Sequence, residues 1–322
     1  MDRRRAFGIA LVLVSACAFG SGGLFAHPVY EAGVGWQVLS AWRFAFGALL
    51  AWCWLLGSAE RRRGLRLVDR RTAIVAVALG VLYVGNSGTY YAGLETVPVG
   101  LAALIVYVYP AVVAVMALRF GRRLDGRRPW FALGLALVGV VLALGGVPAG
   151  TMPPLAGVAL VVASPLIYSV WIVLSARLSG ERRDSVGEEG ARGTDAAAAT
   201  ALMMTATAAV YWLSGLAFGL PVTPDRIPVA AWPGLVGVGV VATFIAIQTF
   251  YAGVRRIGAA QAALVSTIEP AWTIALAALL FGQTLAPIQL LGGALIIIGV
   301  IIAQAPPEAF SSIRPGIRLA DE

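Results

Sequence analysis

Ten apolar runs set what this chain can become. With soft ends they cover 6–26, 36–57, 72–93, 97–118, 130–147, 155–177, 196–219, 232–254, 258–280 and 287–304. A helix of about 20 apolar residues crosses a hydrocarbon core of about 30 Å. The chain is 59% hydrophobic and 12% charged, where soluble domains carry about 25% charge, so it lacks the residues for a water-facing surface. The runs do not alternate polar with apolar residues as barrel strands do. A helix is the other backbone form that satisfies its own polar groups in lipid. The expected fold class is therefore an all-α polytopic membrane protein with ten transmembrane helices.

The cations orient it. Every basic residue is arginine, and the net charge is +8. With ten spans, the arginines at 3–5, 61–71, 119–128, 177–192, 255–256 and 314–318 all fall on one side, and the opposite loops hold only Arg226. By the positive-inside rule that side is the cytoplasm. The expectation is a multi-pass protein of a bacterial-type plasma membrane with both termini inside. The arginines sit in short loops rather than on one domain face, so a nucleic-acid partner is not expected. Trp36, Trp130 and Trp232 stand at span starts and read as interface anchors. Arg3-Arg4-Arg5 before an apolar run resembles a signal peptide. The run aligns with the sixth span at an offset of 149 (Gly8 with Gly157, Val12 with Val161, Ser15 with Ser164), so it is expected to be retained.

That alignment is part of a duplication. At an offset of 160, Tyr91-Ala92-Gly93 falls on Tyr251-Ala252-Gly253 and Pro110-Ala111 on Pro270-Ala271. Leu133-Gly134 of the fifth span matches Leu291-Gly292 of the tenth. A five-helix unit is odd, so its second copy enters the membrane from the other side. Phe120-Gly121-Arg122-Arg123 accordingly ends the fourth span with arginines, and Phe281-Gly282-Gln283-Thr284 ends the ninth without them. The expected organisation is two inverted five-helix repeats, 1–147 and 148–304, with a cytoplasmic tail at 305–322. The joint falls in the loop Gly145–Pro154, and Ser179–Asp195 forms a charged linker. Inverted repeats around a midplane site are a common plan of secondary transporters.

Two such repeats, each with a small-residue helix, a central proline and a Gly-centred turn, resemble the drug/metabolite transporter superfamily and its ten-helix EamA-domain branch. The pieces that carry this are Trp42-Arg43-Phe44, Tyr91-Ala92-Gly93-Leu94, Tyr107–Pro110, Ile268-Glu269-Pro270 and Leu291-Gly292-Gly293-Ala294-Leu295. The resemblance covers nearly the whole chain and implies export or exchange of small metabolites. One departure stands out: the family often has Gly-Glu after the ninth span, where this chain has Gly282-Gln283.

Only two charges lie well inside spans, Glu269 and Arg43. Each costs about 2.5–3.5 kcal/mol on insertion scales and should face the bundle interior. At 1.5 Å per residue Glu269 is roughly 16 Å from Gly258, and Arg43 is roughly 10 Å from Trp36. At similar depths the two could form an ion pair. Glu269 is either a proton carrier or a counter-ion for a cationic substrate group, or a structural acid paired with Arg43 or held neutral. Desolvation favours its protonated form. Arg43 is read first as structural. Pro110 and Pro270 each remove a backbone donor in mid-helix and read as duplicated hinges or as static bends. Helical stripes add Ser266 and Thr273 beside Glu269, Tyr83, Asn86 and Tyr90 on the third span, and Tyr168 and Trp171 on the sixth. Tyr107 and Gln248 add polar tips. Singly these read as interhelical hydrogen bonds and packing. Together they outline an interior cavity.

The leading expectation is a secondary transporter, an exporter of an amino acid, amine or drug-like amphiphile, working by alternating access with the proton as a candidate coupling ion. No Gly-x-x-x-x-Gly-Lys segment is present to bind nucleotide. Cys17, Cys53 and His27 do not form a metal-ligand spacing, and no cofactor is expected. An intramembrane lipid-modifying enzyme would need paired acids, whereas Asp184, Glu188 and Glu189 lie in a Gly-rich linker. A channel would need a ring of like groups.

Overall fold

The computed structural model describes residues 3–66, 68–120, 128–145, 152–178, 196–257, 262 and 265–304. Among these every regular element is helical. The first span is two helices, α1 (Arg3–Gly20) and α2 (Gly22–Glu31), followed by α3 (Trp36–Leu56) and a short α4 (Ala59–Arg66). Next come α5 (Arg70–Leu94), α6 (Val99–Val106), α7 (Tyr109–Phe120), α8 (Arg128–Gly145), α9 (Leu155–Leu178) and α10 (Ala196–Ala217). The eighth span joins α11 (Trp232–Val236), a π-helical stretch (Gly237–Ile245) and α12 (Ala246–Ile257). The last two are α13 (Ile268–Phe281) and α14 (Pro287–Gln304). Six helical stretches are long and apolar enough to cross a membrane, and four shorter apolar ones occupy the fourth, fifth, ninth and tenth runs.

The boundaries follow local chemistry. Asp69 caps α5, its carboxylate accepting the Thr72 N–H at 3.1 Å, and Thr72 holds this carboxyl below the usual range. Gly282 ends α13 in the left-handed region at φ 64°. Its N–H donates to the Ala278 carbonyl and that of Gln283 to Ala277, a Schellman-type closure that glycine makes without steric cost. The first span does not run evenly over 6–26 but turns at Ser21, among Gly20, Gly22 and Gly23, and continues to Glu31. Glycine clusters are where helices kink. The joint at 146–151, the linker at 179–195 and the tail at 305–322 lie outside the described residues.

Packing pairs the two halves. α1 lies against α12 as α9 lies against α5; α3 packs on α10, and α8 on α14. α1 meets α13 as α9 meets α6 and α7. Exchanging the first five spans for the last five leaves this pattern unchanged. The match extends to atoms. A methyl on Gly93 would strike Val161 and stand 3.1 Å from the Gly157 carbonyl; one on Gly253 would strike Val12 and stand 3.1 Å from the Gly8 carbonyl. These are the residues aligned at offsets 160 and 149. Nearby, Ser15 Oγ donates to the Ala246 carbonyl at 2.7 Å, and Ser164 Oγ to Asn86 Oδ1 at 2.9 Å. Both contacts run antiparallel.

The tryptophans differ from the sequence expectation. Trp130 is 61% exposed, as an interface residue would be. Trp232 packs edge-on against Trp42 at 4.8 Å, and Trp36 against Tyr211 at 6.3 Å. Those two therefore help fill the bundle.

Candidate functional site

The fourth and ninth apolar runs are both interrupted just before their central prolines. α6 ends at Val106, Tyr107 and Val108 form a turn, and α7 starts at Tyr109. In the ninth run Ser266 and Thr267 form the turn, and α13 starts at Ile268. Pro110 and Pro270 cannot donate to the carbonyl four residues back, and each sits in the first turn of the following helix. The sequence left a hinge and a bend open; the structure shows a break in both copies. Helix ends inside a bundle leave polar backbone groups uncovered, and such breaks are used to build transporter sites.

Glu269 stands in the first turn of α13 and is half-buried. Its side chain lies within electrostatic range of Tyr107, Tyr109, Tyr90 and Cys17. The broken fourth span, the third span and α1 thus converge on the carboxylate. Tyr107 and Tyr90 were expected here. Tyr109 and Cys17 were missed, although Tyr109 is the residue that the 160-residue offset aligns with Glu269.

From Tyr109 an aromatic chain runs inward. Tyr107 meets Tyr109 at 6.0 Å, Tyr109 meets Tyr168 at 4.9 Å, and Tyr168 stacks on Trp171 at 5.8 Å. Tyr83 closes it at 5.2 Å from Trp171. The third and sixth spans therefore bring Tyr83, Tyr168 and Trp171 together as expected. Several polar tips are already engaged in helix packing. Asn86 Oδ1 accepts from Ser164, and Trp171 Nε1 donates to the Leu79 carbonyl at 2.9 Å. Thr273 is buried and donates to the carbonyls of Gly20 and Glu269. Ser266 lies on the turn before α13, so the unbroken Ser266–Glu269–Thr273 stripe does not form. Gln248 is half-buried on α12 and makes no hydrogen bond among the described residues.

Arg43 does not pair with Glu269. It is buried at 7% exposure. Its Nε donates to Thr243 Oγ1 at 2.8 Å and its Nη1 to Ser87 Oγ at 3.4 Å. The rings of Tyr91 and Phe44 stand 4.7 and 4.8 Å from its Cζ. Thr243 reaches it from the π-helical stretch, where its own hydroxyl donates to the Val238 carbonyl five residues back. Depth along two helices gave similar heights for the two charges but could not give their azimuths.

The open space is also displaced from the expected midplane cavity. A cleft of about 370 Å³ lies at the bundle end opposite the arginine-rich loops. Gly23, His27, Tyr30, Glu31, Glu95 and Gln283 line it. His27 stacks on Phe281 at 4.2 Å and stands 3.6 Å from the Glu31 carboxylate. Glu95 accepts the N–H of Trp36 at 2.7 Å. Among the described residues no group of three or more His, Cys, Asp or Glu side chains is placed to hold a metal ion.

Comparison with known proteins bears on the family and the fold. The chain is 27% identical over 299 residues to an uncharacterized transporter of Archaeoglobus fulgidus, covering 92% of this chain and 96% of the relative. It is 25% identical to the uncharacterized transporter sll1319 of Synechocystis, over 73% of this chain and 68% of the relative. A solved protein structure matches with a TM-score of 0.64 at 20% identity, over 93% of this chain and 97% of the other, a likeness of fold. The family model described as EamA-like transporter matches twice, at residues 6–145 and 155–304. The chain belongs to the EamA-like transporter family.

Proposed function

We propose that this protein is a secondary transporter that exports a small organic solute from the cytoplasm by alternating access between two inverted five-helix halves. The halves are 1–147 and 148–304. The paired helix breaks at Tyr107–Val108 and Ser266–Thr267, with one carboxylate between them, carry the reading. Two elements broken at equivalent places give a bundle two matched points at which to rock. Glu269, among Tyr90, Tyr107 and Tyr109, serves as the coupling group, exchanging a proton or balancing a cationic part of the solute. The arginine-rich loops and the tail at 305–322 face the cytoplasm of a bacterial-type plasma membrane. The outer cleft is then the exit on the far side. The names of the relatives support a transporter; direction and solute class are this proposal's own.

The test is counterflow in proteoliposomes, using solutes first picked by a thermal-shift screen of amino acids, amines and nucleobases. A carrier accelerates labelled uptake when the same solute is loaded inside. Glu269→Gln should abolish the pH dependence of that exchange. Unchanged exchange and unchanged pH dependence in Glu269→Gln would remove Glu269 from the mechanism.

A further inference from the structure

Among the described residues the cation at Arg43 has no anion. Among the described residues no carboxylate lies within 4.0 Å of its guanidinium. A guanidinium offers five N–H donors, and among the described residues it makes two hydrogen bonds, one of them long. Aromatic faces attract a cation but leave its charge in place. A charge held this way in a membrane is costly and marks a functional position more often than a structural one. Ser40, three residues earlier on the same helix, is fully buried and neighbours the Tyr211 hydroxyl. The π-helical stretch beside it is itself an irregularity of a kind found at functional sites, and it presents Thr243 to the guanidinium.

A chain of contacts links Arg43 to the outer cleft. Gly23 and Leu94 form part of the cleft wall. Next to Gly23, a methyl on Gly22 would stand 3.0 Å from the Tyr91 hydroxyl. The Tyr91 ring in turn covers Arg43. Tyr30, also in the cleft wall, donates to the Tyr91 carbonyl at 2.8 Å. Tyr91 therefore touches Arg43 on one side and, on the other, residues that belong to or adjoin the cleft wall.

We propose that Arg43 is the seat of a carboxylate on the transported solute, reached from the cleft when the Tyr91 ring moves off the guanidinium. The planar fork of arginine fits a carboxylate with two parallel hydrogen bonds, and the bound anion neutralises the buried charge. This rests on the carrier reading above and adds the solute's chemical class. Tyr90 lies in electrostatic range of both Arg43 and Glu269, so a solute with an anionic and a cationic end can address both residues across it.

The experiment is thermal unfolding of the purified full chain in detergent, with propionate compared against propionamide at matched ionic strength. Propionate should raise the midpoint by a few degrees over propionamide in the natural protein. Arg43→Lys should keep a smaller difference, and Arg43→Met should show none. Without any additive, Arg43→Met should melt no lower than the natural protein, because it removes an unpaired buried charge. A structural cation would behave oppositely, its loss lowering the midpoint by several degrees. Equal midpoints in the two additives, the same difference in Arg43→Met, or that drop in its additive-free midpoint each overturn the proposal. The carrier reading fails by a different result, the absence of counterflow in the natural protein. The propionate comparison measures binding and stands or falls without it.

Discussion

Tyr109-Pro110 and Glu269-Pro270 occupy equivalent places in the two halves, and the contrast between them separates scaffold from chemistry. Both dipeptides lie in the first turn of a helix that follows a two-residue break. The proline and the break are therefore architecture that both copies need. The surroundings differ. At the break in the first half, Ser169 of the sixth span donates a hydrogen bond to the Tyr109 carbonyl at 3.2 Å. At the break in the second half, the residue aligned with Ser169 is Gly20 of the first span, and a methyl there would stand 3.0 Å from the Glu269 carbonyl. The Glu269 carbonyl accepts instead from Thr273 of its own helix, whose hydroxyl also bonds the Gly20 carbonyl. The neutral copy is thus tied to the facing helix by that helix's side chain, and the charged copy by that helix's backbone.

The largest expected effect comes from moving the charge. Glu269→Tyr should lower pH-dependent exchange by about a hundredfold, the low end of what a positioned proton-transfer group contributes. Adding Tyr109→Glu to it should not restore exchange, because Ser169 and the Tyr168 ring crowd that position. Exchange recovering in the double variant would break the comparison: the carboxylate would then be interchangeable between halves.

Next in size is a test of the scaffold. Gly93→Ala and Gly253→Ala each push a methyl into a valine and a backbone carbonyl of the facing helix. Overpacking of this kind costs about 1–3 kcal/mol, and the two losses should be equal in unfolding midpoints measured in micelles. A loss in one half alone would show that the shared contacts do not support the halves alike.

Much of this scaffold was legible in the sequence, and the reasons are local. Apolar runs report spans directly, so all ten runs contain helix in the structure. The offsets that aligned Gly8 with Gly157 and Gly93 with Gly253 name residues that touch in corresponding pairs. The turn at Phe281-Gly282 follows from glycine's access to positive φ. What stayed hidden depends on azimuth and on single turns. A window of twenty residues averages over the two-residue breaks at 107–108 and 266–267, and over the π-helical stretch. α4 is too polar to register as a span. Polar stripes marked Asn86, Trp171 and Thr273 as candidates for a cavity, yet a stripe reads the same whether it meets a solute or a neighbouring helix. Arg43 and Glu269 shared a depth, and only the packing of α3 against the eighth span shows that Arg43 turns toward Thr243 and Ser87.

A smaller effect should be shared by the two prolines. Pro110→Ala and Pro270→Ala each supply an N–H that can bond the carbonyl four residues back, at Val106 or Ser266. One such bond is worth roughly 1 kcal/mol, which is about fivefold in a rate. Counterflow should slow by that amount in both variants while the unfolding midpoint rises. A slowed Pro270→Ala beside an unaffected Pro110→Ala would mean that the halves do not rock about matched points.

The smallest effect tests the hydrogen bond that the halves share. Ser15→Ala and Ser164→Ala each remove a hydroxyl donor buried between antiparallel helices, and such bonds average about 0.6 kcal/mol in membrane proteins. Equal losses would follow if only the backbone acceptors mattered, since Ser15 donates to the Ala246 carbonyl and Ser164 also lies 3.4 Å from that of Asn86. The shorter bond of Ser164 goes instead to the Asn86 side chain, at 2.9 Å. Its loss leaves a buried amide oxygen without its donor as well, so Ser164→Ala should be the costlier of the two. A double-mutant cycle with Asn86→Ala isolates that difference. If the cycle closes with no coupling, Asn86 is not held by Ser164. Its amide would then be available to a solute on the helix face it shares with Tyr83 and Tyr90.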